Sequence, residues 1–556
     1  ISKMLLTIVI SFAALCCSGT NAEVFTSMTD MSKLLTTQEE MIRAVDNYIL
    51  AQEEKIQRLK KELRTLEEAH DVANRAPERF LGNPINAYLL VKRLTVDWND
   101  LKSVMTDETT GSSTLQNLTS MAQLLRWPDE EDLHGVAMGL MRLQDTYKLE
   151  TSQMAKGLIF NIPAQRELTA AECFELGRQS YNSGDHYHTM LWMNEALNRQ
   201  EIESNKTVLR GDILEYLAFS TYMQGNIRQA LKLTDELLLE RPNHQRALGN
   251  KLYYHEALQK QQEEQRGETA DIDPETQAVD QGYSVTEDKG FLDEWQRERV
   301  AYERLCRGEG KVSEDMKKKL TCFYQFGPGK FLRIAPVKTE VMHIHPTIYI
   351  YYDVLYEKEM AVIKELAIPR FKRATVQNYK TGELETAQYR ISKSAWLKDE
   401  DHLYVRNVNQ RIEDISGLAV STAEELQIAN YGIGGHYEPH FDFARAEEKD
   451  AFKSLGTGNR IATFLFYMTD IEAGGATVFP HLNLALWPKA GAAAFWHNLL
   501  PGGEGDVLTR HAACPVLVGS KWVSNKWIHE AGQERRRPCQ IDKNALENVG
   551  DHFRSD

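Results

Sequence analysis

Two histidines and an aspartate carry the spacing of a metal site. His440-Phe441-Asp442 follows Tyr431-Gly432-Ile433-Gly434-Gly435-His436-Tyr437 in a stretch that reads as a strand. Side chains at i and i+2 of a strand share a face, so His440 and Asp442 can reach one ion. A second histidine, His511, stands further along in Leu508-Thr509-Arg510-His511. Two neutral imidazoles and a carboxylate on one face of the coordination sphere leave open positions, the arrangement for non-haem Fe(II) that must bind a cosubstrate and dioxygen. Alone, a His-x-Asp triplet is a weak signal, since most are surface pairs.

Shortly after His511, Gly519-Ser520-Lys521-Trp522-Val523-Ser524-Asn525-Lys526-Trp527-Ile528-His529 reads as another strand. Lys521, Val523, Asn525, Trp527 and His529 share its parity, so one face offers an ammonium, an indole and an imidazole. A lysine pointing inward among apolar neighbours needs an anion to compensate its charge. A dicarboxylic acid that chelates iron at one end and meets Lys521 at the other supplies it. The alternative register puts Lys521 in solvent and Trp522 inside.

The elements that must position these groups fill a chain of 556 residues, a length that suggests three or four domains. Apolar residues make up 42% and charged residues 26%, enough hydrophobic material for more than one core. A net charge of −15 would repel a phosphate backbone, which argues against nucleic acid as a partner. Lys3 followed by the apolar run Met4–Cys17 and a polar end at Asn21-Ala22 reads as a secretory signal peptide over 1–22, with Met4 as initiator and Glu23 as the mature start. That run is shorter than the ~20 apolar residues of a membrane span, so no span is expected. Secretion leaves five cysteines in an oxidising compartment. Cys306 with Cys322 and Cys514 with Cys539 are close pairs able to close short loops, and Cys173 is left as a buried thiol. Asn117-Leu118-Thr119 and Asn205-Lys206-Thr207 fit glycosylation acceptors.

From Leu35 to Leu66, apolar residues recur at heptad spacing (Leu35, Ile42, Ile49, Ile56 and Leu63, with Val45, Leu59 and Leu66), a coiled-coil seam interrupted by Gln38 and Gln52. Self-association is the first reading, and one amphipathic helix packed on its own domain is the other. Between Glu172 and Leu258, Tyr181-Asn182-Ser183-Gly184-Asp185 returns as Tyr222-Met223-Gln224-Gly225-Asn226, each opening a second apolar helix, as in tetratricopeptide helix pairs. The period is stretched, and the excess falls in Asn198 to Lys206. Such pairs form grooves for extended peptides. Tyr181, Tyr187, Tyr216, Phe219, Tyr222, Tyr253 and Tyr254 concentrate aromatic rings here, while Arg246, Asn250 and Tyr253 share a helix face. Rings with hydrogen-bond donors between them suit proline-rich ligands, although tyrosines packed between helices would explain any single one equally well. Gln259 to about Lys289 is acidic and polar and reads as a linker. Beyond Phe331 the pattern is mainly β, with strands at 347–352 and 461–468.

Together His440-x-Asp442, His511, Lys521 and His529, with Tyr431 before the first ligand and His511-Ala512-Ala513-Cys514-Pro515-Val516 leading to Gly519-Ser520-Lys521-Trp522, resemble the catalytic α subunits of the collagen prolyl 4-hydroxylases. The resemblance implies an N-terminal helical dimerisation region over 23–165 and a tetratricopeptide-like peptide-substrate domain over 166–258. A connector over 259–335 and a double-stranded β-helix (jelly-roll) dioxygenase domain over 336–556 follow. It implies Fe(II) on His440, Asp442 and His511, and 2-oxoglutarate held by Lys521. His529 would assist the cosubstrate, with Tyr431, Thr477 and Trp527 lining its pocket. Peptide would meet Tyr181, Tyr216, Phe219, Tyr222, Arg246, Asn250 and Tyr253; Phe219 departs from the tyrosine found there in well-known members. The family's two disulfides match Cys306 with Cys322 and Cys514 with Cys539, and its unpaired cysteine matches Cys173. The implied reaction hydroxylates C4 of proline in X-Pro-Gly repeats as 2-oxoglutarate becomes succinate, with L-ascorbate rescuing oxidised iron. The implied assembly is an α2β2 tetramer in the endoplasmic reticulum lumen with protein disulfide isomerase as β subunit. That partner carries the retention signal that Phe553-Arg554-Ser555-Asp556 lacks. Two alternatives remain: a non-catalytic collagen-binding scaffold, and a lysyl hydroxylase, whose family usually has arginine in place of Lys521 and no tetratricopeptide-like domain.

Overall fold

The structure is a computed structural model that describes residues 28–106, 130–268, 293–327, 332–377, 384–386, 389–448 and 451–540. The expected signal peptide and Asn117 lie outside the described residues. Two compact units are present, one of residues 1–72 with 98–121 and one of residues 73–97 with 122–556.

In the first unit the heptad pattern lies on one long helix, α1 (Met28–Arg75), which continues past residue 72. The seam residues Ile49, Ile56 and Leu63 are 48%, 47% and 53% exposed among the described residues. No helix among the described residues is long and apolar enough to cross a membrane.

The helical part of the second unit begins with α2 (Pro84–Lys92) and α3 (Glu130–Tyr147). Two antiparallel pairs follow, α4 (Ala170–Asn182) with α5 (His186–Ile202) and α6 (Arg210–Met223) with α7 (Ile227–Glu240), then α8 (Gln245–Glu268). The repeated turns work alike. Gly184 and Gly225 take positive φ (78° and 86°), and the next residue in each, Asp185 or Asn226, caps the following helix from its side chain. Part of the stretched period is helix rather than loop, because α5 runs on to Ile202. Helix α8 likewise carries ten residues into the stretch that reads as a linker. Asn205 is exposed in the loop between the pairs.

Helix α3 joins the two halves of this unit. Toward the repeats, buried Trp192 donates to Gln144 Oε1 at 3.1 Å, and His188 lies 3.1 Å from Asp145. Toward the sheets, Arg142 donates to the Gly434 carbonyl at 2.9 Å and Tyr147 to that of Pro515 at 2.6 Å. The backbones meet so closely that a Cβ on Gly139 would stand 2.8 Å from the Ile433 oxygen, which is why both helix and turn carry glycine here.

The β part begins beyond α9 (Glu294–Cys306). Besides a short hairpin of Thr375–Gln377 with Leu384–Thr386, its strands are β1 (Cys322–Gln325), β2 (Val337–His343), β3 (Ile348–Tyr352), β4 (Lys372–Arg373), β5 (Lys393–Leu397), β6 (Leu426–Tyr431), β7 (Tyr437–His440), β8 (Arg460–Tyr467), β9 (Ala473–Gly474), β10 (Thr477–Phe479), β11 (Leu484–Leu486), β12 (Ala493–His497), β13 (His511–Ala513), β14 (Val516–Val518) and β15 (Lys521–His529). The nine-stranded major sheet runs β1-β2-β3-β12-β8-β15-β6-β5-β4, and the four-stranded minor sheet runs β7-β13-β10-β11. Every described pairing is antiparallel, and side chains such as Tyr431, Leu465, Trp496, Phe479 and Ala513 fill the space between the sheets, as in a jelly roll. Two helices interrupt this mainly β region, α10 (Glu357–Ala367) and α11 (Leu403–Ser416). Their apolar residues Ile363, Val405, Val408 and Ile412 cover the outer face of the major sheet over Leu397, Ile428 and Phe466. A strand periodicity overlooks them, because their apolar residues recur at three and four.

The cysteine pairing differs from the expectation. Cys306 is bonded to Cys514, 208 residues away with Cα atoms 5.5 Å apart, while Cys322 and Cys539 are free and exposed. Packing of α9 against the minor sheet brings Cys306 to Cys514, which is fully buried behind β13. Cys322 instead opens the edge strand β1. Closeness in sequence does not make a pair when the required Cα separation is set by tertiary packing. Cys173 is a buried free thiol, as expected.

Candidate active site

His440 and His511 are cross-strand neighbours in the minor sheet, at the register β7 to β13. Strand β7 stops at His440, so Asp442 lies in the bend just beyond rather than on the strand, yet its carboxylate still turns to the same point. Asp442 Oδ1 is 3.7 Å from His440 Nε2, and Oδ2 is 3.5 Å from His511 Nε2. One ligand atom from each of the three lies within 4.8 Å of the others.

Both imidazoles are aimed by their own backbone. His440 Nδ1 is 2.8 Å from the Glu438 carbonyl and His511 Nδ1 is 2.9 Å from that of Thr509. A carbonyl only accepts, so each Nδ1 carries the proton and each Nε2 keeps its lone pair for a metal. Burial, then the neighbouring His511, pushes the His440 pKa well down, which keeps it neutral. Burial alone would raise Asp442, but His511, His440 and Arg460 hold it down to about 2, so it is ionised. Thr463, on β8 of the major sheet, donates to Asp442 Oδ2 at 2.7 Å, and Asn498 donates to the Thr463 hydroxyl at 2.9 Å.

The opposite wall is the inner row of β15. Lys521 is 1% exposed and pairs in register with Tyr431 on β6, its Nζ 5.1 Å from the centre of that ring. The inward register therefore holds, and Trp522 packs on the outer side against Phe371. Burial lowers the Lys521 pKa to about 7. One pocket is lined by the three candidate ligands and Lys521, with Tyr431, Thr477, Val523, Asn525 and Trp527 around it. Four buried donors of its lining, Lys521 Nζ, Arg390 Nε, Trp496 Nε1 and Trp527 Nε1, have no partner among the described residues. Buried donors without acceptors in one pocket suit an anionic ligand.

His529 does not line this pocket. The pairing of β15 with β8 slips between Ala462–Ile528 and Arg460–His529, with Ile461 of β8 the extra residue, and His529 is the last residue of β15, beyond the pocket-lining row of Lys521, Val523, Asn525 and Trp527. It is fully buried, with Nδ1 2.8 Å from the Gly458 carbonyl and Nε2 3.1 Å from Glu424, which also binds Arg460. Arg390 and Tyr437 were not singled out by sequence. Tyr437 stacks on His440 with ring centres 3.5 Å apart, and the Arg390 guanidinium lies over the Tyr437 ring, 4.8 Å from its centre. Thr463 did carry a signal, as the one polar side chain in the apolar run Ile461–Tyr467.

In the helical region the aromatic residues form two groups. Tyr181 makes edge contacts with Tyr216 (4.9 Å) and Phe219 (5.7 Å). Tyr222 meets Tyr253 at 5.6 Å and stacks on Tyr254 at 4.4 Å. Tyr254 is core, whereas Tyr253 is 57% exposed. Arg246 pairs with Glu215 at 2.9 Å and remains largely exposed, and Asn250 is half-buried on the same helix.

Residues 27–161 match the family described as prolyl 4-hydroxylase alpha-subunit, N-terminal region. Residues 170–260 match the prolyl 4-hydroxylase peptide-substrate-binding domain, and residues 426–529 the 2OG-Fe(II) oxygenase superfamily. Prolyl 4-hydroxylase subunit alpha-1 of Homo sapiens is 46% identical over 93% of this chain and 96% of its own. The chain belongs to the prolyl 4-hydroxylase α-subunit family. Subunit alpha-2 of Caenorhabditis elegans is also 46% identical, over 96% of both chains. Among solved structures, a viral collagen prolyl hydroxylase from Paramecium Bursaria Chlorella virus-1 matches 33% of this chain and 94% of its own at 23% identity, with a TM-score of 0.26, too low for its fold to bear on this one.

Membership in this prolyl 4-hydroxylase family brings Fe(II) and 2-oxoglutarate as cofactor and cosubstrate. The donor set fits both. Two Nε2 lone pairs and a carboxylate suit Fe(II), and the partnerless Lys521 ammonium suits a second carboxylate.

Proposed function

We propose that this chain is the catalytic subunit of a procollagen-proline 4-dioxygenase. The observation that carries the reading is the shared pocket, in which His440, Asp442 and His511 stand opposite the partnerless ammonium of Lys521. His440, Asp442 and His511 hold Fe(II), and Lys521 takes the distal carboxylate of 2-oxoglutarate. Tyr431, Thr477 and Trp527 shape the cosubstrate's side of the pocket. With 2-oxoglutarate and dioxygen, bound Fe(II) supplies the oxidant that replaces a hydrogen on proline C4 by hydroxyl, leaving succinate and carbon dioxide. The protein's own work is to aim two imidazoles through backbone carbonyls, fix Asp442 through Thr463, and keep water out with Leu465, Trp496 and Val523. His529 acts on the cosubstrate from a distance, by anchoring the end of β15 through Glu424.

The helical repeats receive the proline-rich chain. A polyproline II segment is already extended and loses little entropy on binding, and its flat rings stack on phenols. Tyr181, Tyr216, Phe219, Tyr222, Arg246, Asn250 and Tyr253 form that surface. Outside the chain, the reading includes α1 as a dimerisation helix, protein disulfide isomerase as β subunit of an α2β2 tetramer, the endoplasmic reticulum lumen as location, and L-ascorbate as iron reductant. Asn117 and Asn205 are glycosylation sites on this reading.

The test is release of carbon dioxide from 2-oxoglutarate by the chain co-expressed with protein disulfide isomerase. Release that rises with a Pro-Pro-Gly peptide supports the reading. Release that responds only to a lysine-containing peptide would overturn it.

A further inference from the structure

We infer that His186 is a further peptide-contacting residue of the helical repeats, donating a hydrogen bond from Nε2 to a backbone carbonyl of the proline-rich chain. The inference rests on the reading that this surface receives the peptide.

The two helix pairs can be compared position by position. Gly184-Asp185-His186 opens α5 as Gly225-Asn226-Ile227 opens α7. In the second copy, Ile227 packs with Tyr222 against buried Tyr254. In the first copy the same place holds an imidazole, which apolar packing does not call for. One helix further on, the exchange runs the other way. Tyr222 has the exposed Tyr253 as its edge neighbour at 5.6 Å, and Tyr181 has Phe219 in the matching contact at 5.7 Å. Phe219 lacks the hydroxyl that Tyr253 carries, and a polar ring stands beside it instead.

The His186 ring is fixed in place. Its centre is 5.7 Å from those of Tyr181 and Phe219, edge-on to each, so the three rings close a triangle. Nδ1 lies 3.3 Å from the hydroxyl of Ser220, a fully buried residue of α6. That hydroxyl has no other side-chain partner among the described residues, so it donates to Nδ1 and the neutral ring keeps its own proton on Nε2. The half-exposed ring does not bury Nε2, which has no partner among the described residues.

Proline lacks a backbone N–H, so a polyproline II chain presents mainly carbonyl acceptors. A fixed donor between aromatic rings answers that chemistry: a proline ring packs on Tyr181 and Phe219 while a carbonyl beside it accepts from Nε2. With about three residues per turn, each X-Pro-Gly unit turns an equivalent carbonyl to the same side. One unit can therefore meet His186 while another meets Arg246 and Asn250.

The test is calorimetry of a long Pro-Pro-Gly peptide with the full-length chain co-expressed with protein disulfide isomerase, without 2-oxoglutarate so that nothing turns over. His186→Ile installs the residue of the second copy and should weaken binding about fivefold, as for one lost hydrogen bond. His186→Gln keeps an N–H near the place of Nε2 and should recover most of that loss. Ser220→Ala frees the ring and should cost less than His186→Ile, and the double variant should bind no worse than His186→Ile alone. Wild-type affinity in His186→Ile, an equal loss in His186→Gln, or losses that multiply in the double variant would overturn the inference. Tyr253→Ala is the control. Weaker binding there with none lost in His186→Ile removes only this inference, whereas wild-type affinity in both removes the peptide surface with it.

Discussion

The hydroxyl of Thr463 donates to Asp442 Oδ2 at 2.7 Å, so a strand of the major sheet fixes a carboxylate that follows the minor sheet's edge strand. The bond keeps one lone pair of that oxygen occupied and the other oxygen turned toward His440. Thr463→Val removes the hydroxyl at nearly constant volume. It should weaken metal affinity roughly tenfold, and lower the melting temperature as well because buried Asn498 loses its acceptor, measured by Co(II) titration beside thermal unfolding. Unchanged affinity would mean that Asp442 is held by other contacts.

Lys521→Ala should raise the 2-oxoglutarate requirement by roughly tenfold or more, since a charge-assisted bond to a buried carboxylate contributes about 1.5 to 3 kcal/mol. Steady-state kinetics in 2-oxoglutarate check this. His529→Ala should act in the same direction but more mildly, and should also lower the melting temperature because Glu424 and Arg460 lose a buried neighbour.

The pocket should also report on pH. Burial lowers the Lys521 pKa to about 7 from 10.5. A bound carboxylate favours the ammonium and raises that value again. Binding of 2-oxoglutarate should therefore take up a proton above pH 7, and affinity should fall as pH climbs from there. For the ligand-free fold the sign is opposite: between about 7 and 10.5 the unfolded chain binds the extra proton, so this group's contribution to stability rises with pH. Calorimetry in buffers of different ionisation heat measures the proton directly. Lys521→Arg, which does not titrate here, should flatten the profile.

The chemistry was legible because strand parity is a local property. Lys521 and its row follow from alternation, and His440 with Asp442 from i and i+2 spacing, even though β7 ends before Asp442. His529 shares that parity but stands at the end of β15, past the pocket, and where a pocket stops along a strand is not written in the alternation. The stacking of Tyr437 on His440 and the approach of Arg390 depend on how β7 meets a distant segment, which no spacing encodes. The disulfide failed for the same reason: α9 packs on the minor sheet, and only that packing brings Cys306 to Cys514.

The repeats also proved less separable than their sequence suggests. Trp192 is fully buried and donates to Gln144, while Asp145 and Asp185 flank the buried His188, whose pKa they raise to about 9 against the effect of burial. A fragment starting at Leu168 would uncover both residues. It should melt well below one starting at Glu130, compared by circular dichroism at equal concentration. Equal melting temperatures would show that α3 adds nothing to the repeats. In the longer fragment, Tyr253→Ala and Arg246→Ala should each weaken binding of a proline-rich peptide.

The most direct measurement is amino-acid analysis of a Pro-Pro-Gly peptide after incubation with the co-expressed complex, Fe(II), 2-oxoglutarate and ascorbate. The account predicts 4-hydroxyproline formed in step with succinate, and neither product with Asp442→Ala or His511→Ala. Succinate formed without 4-hydroxyproline, or full product from either variant, would contradict it.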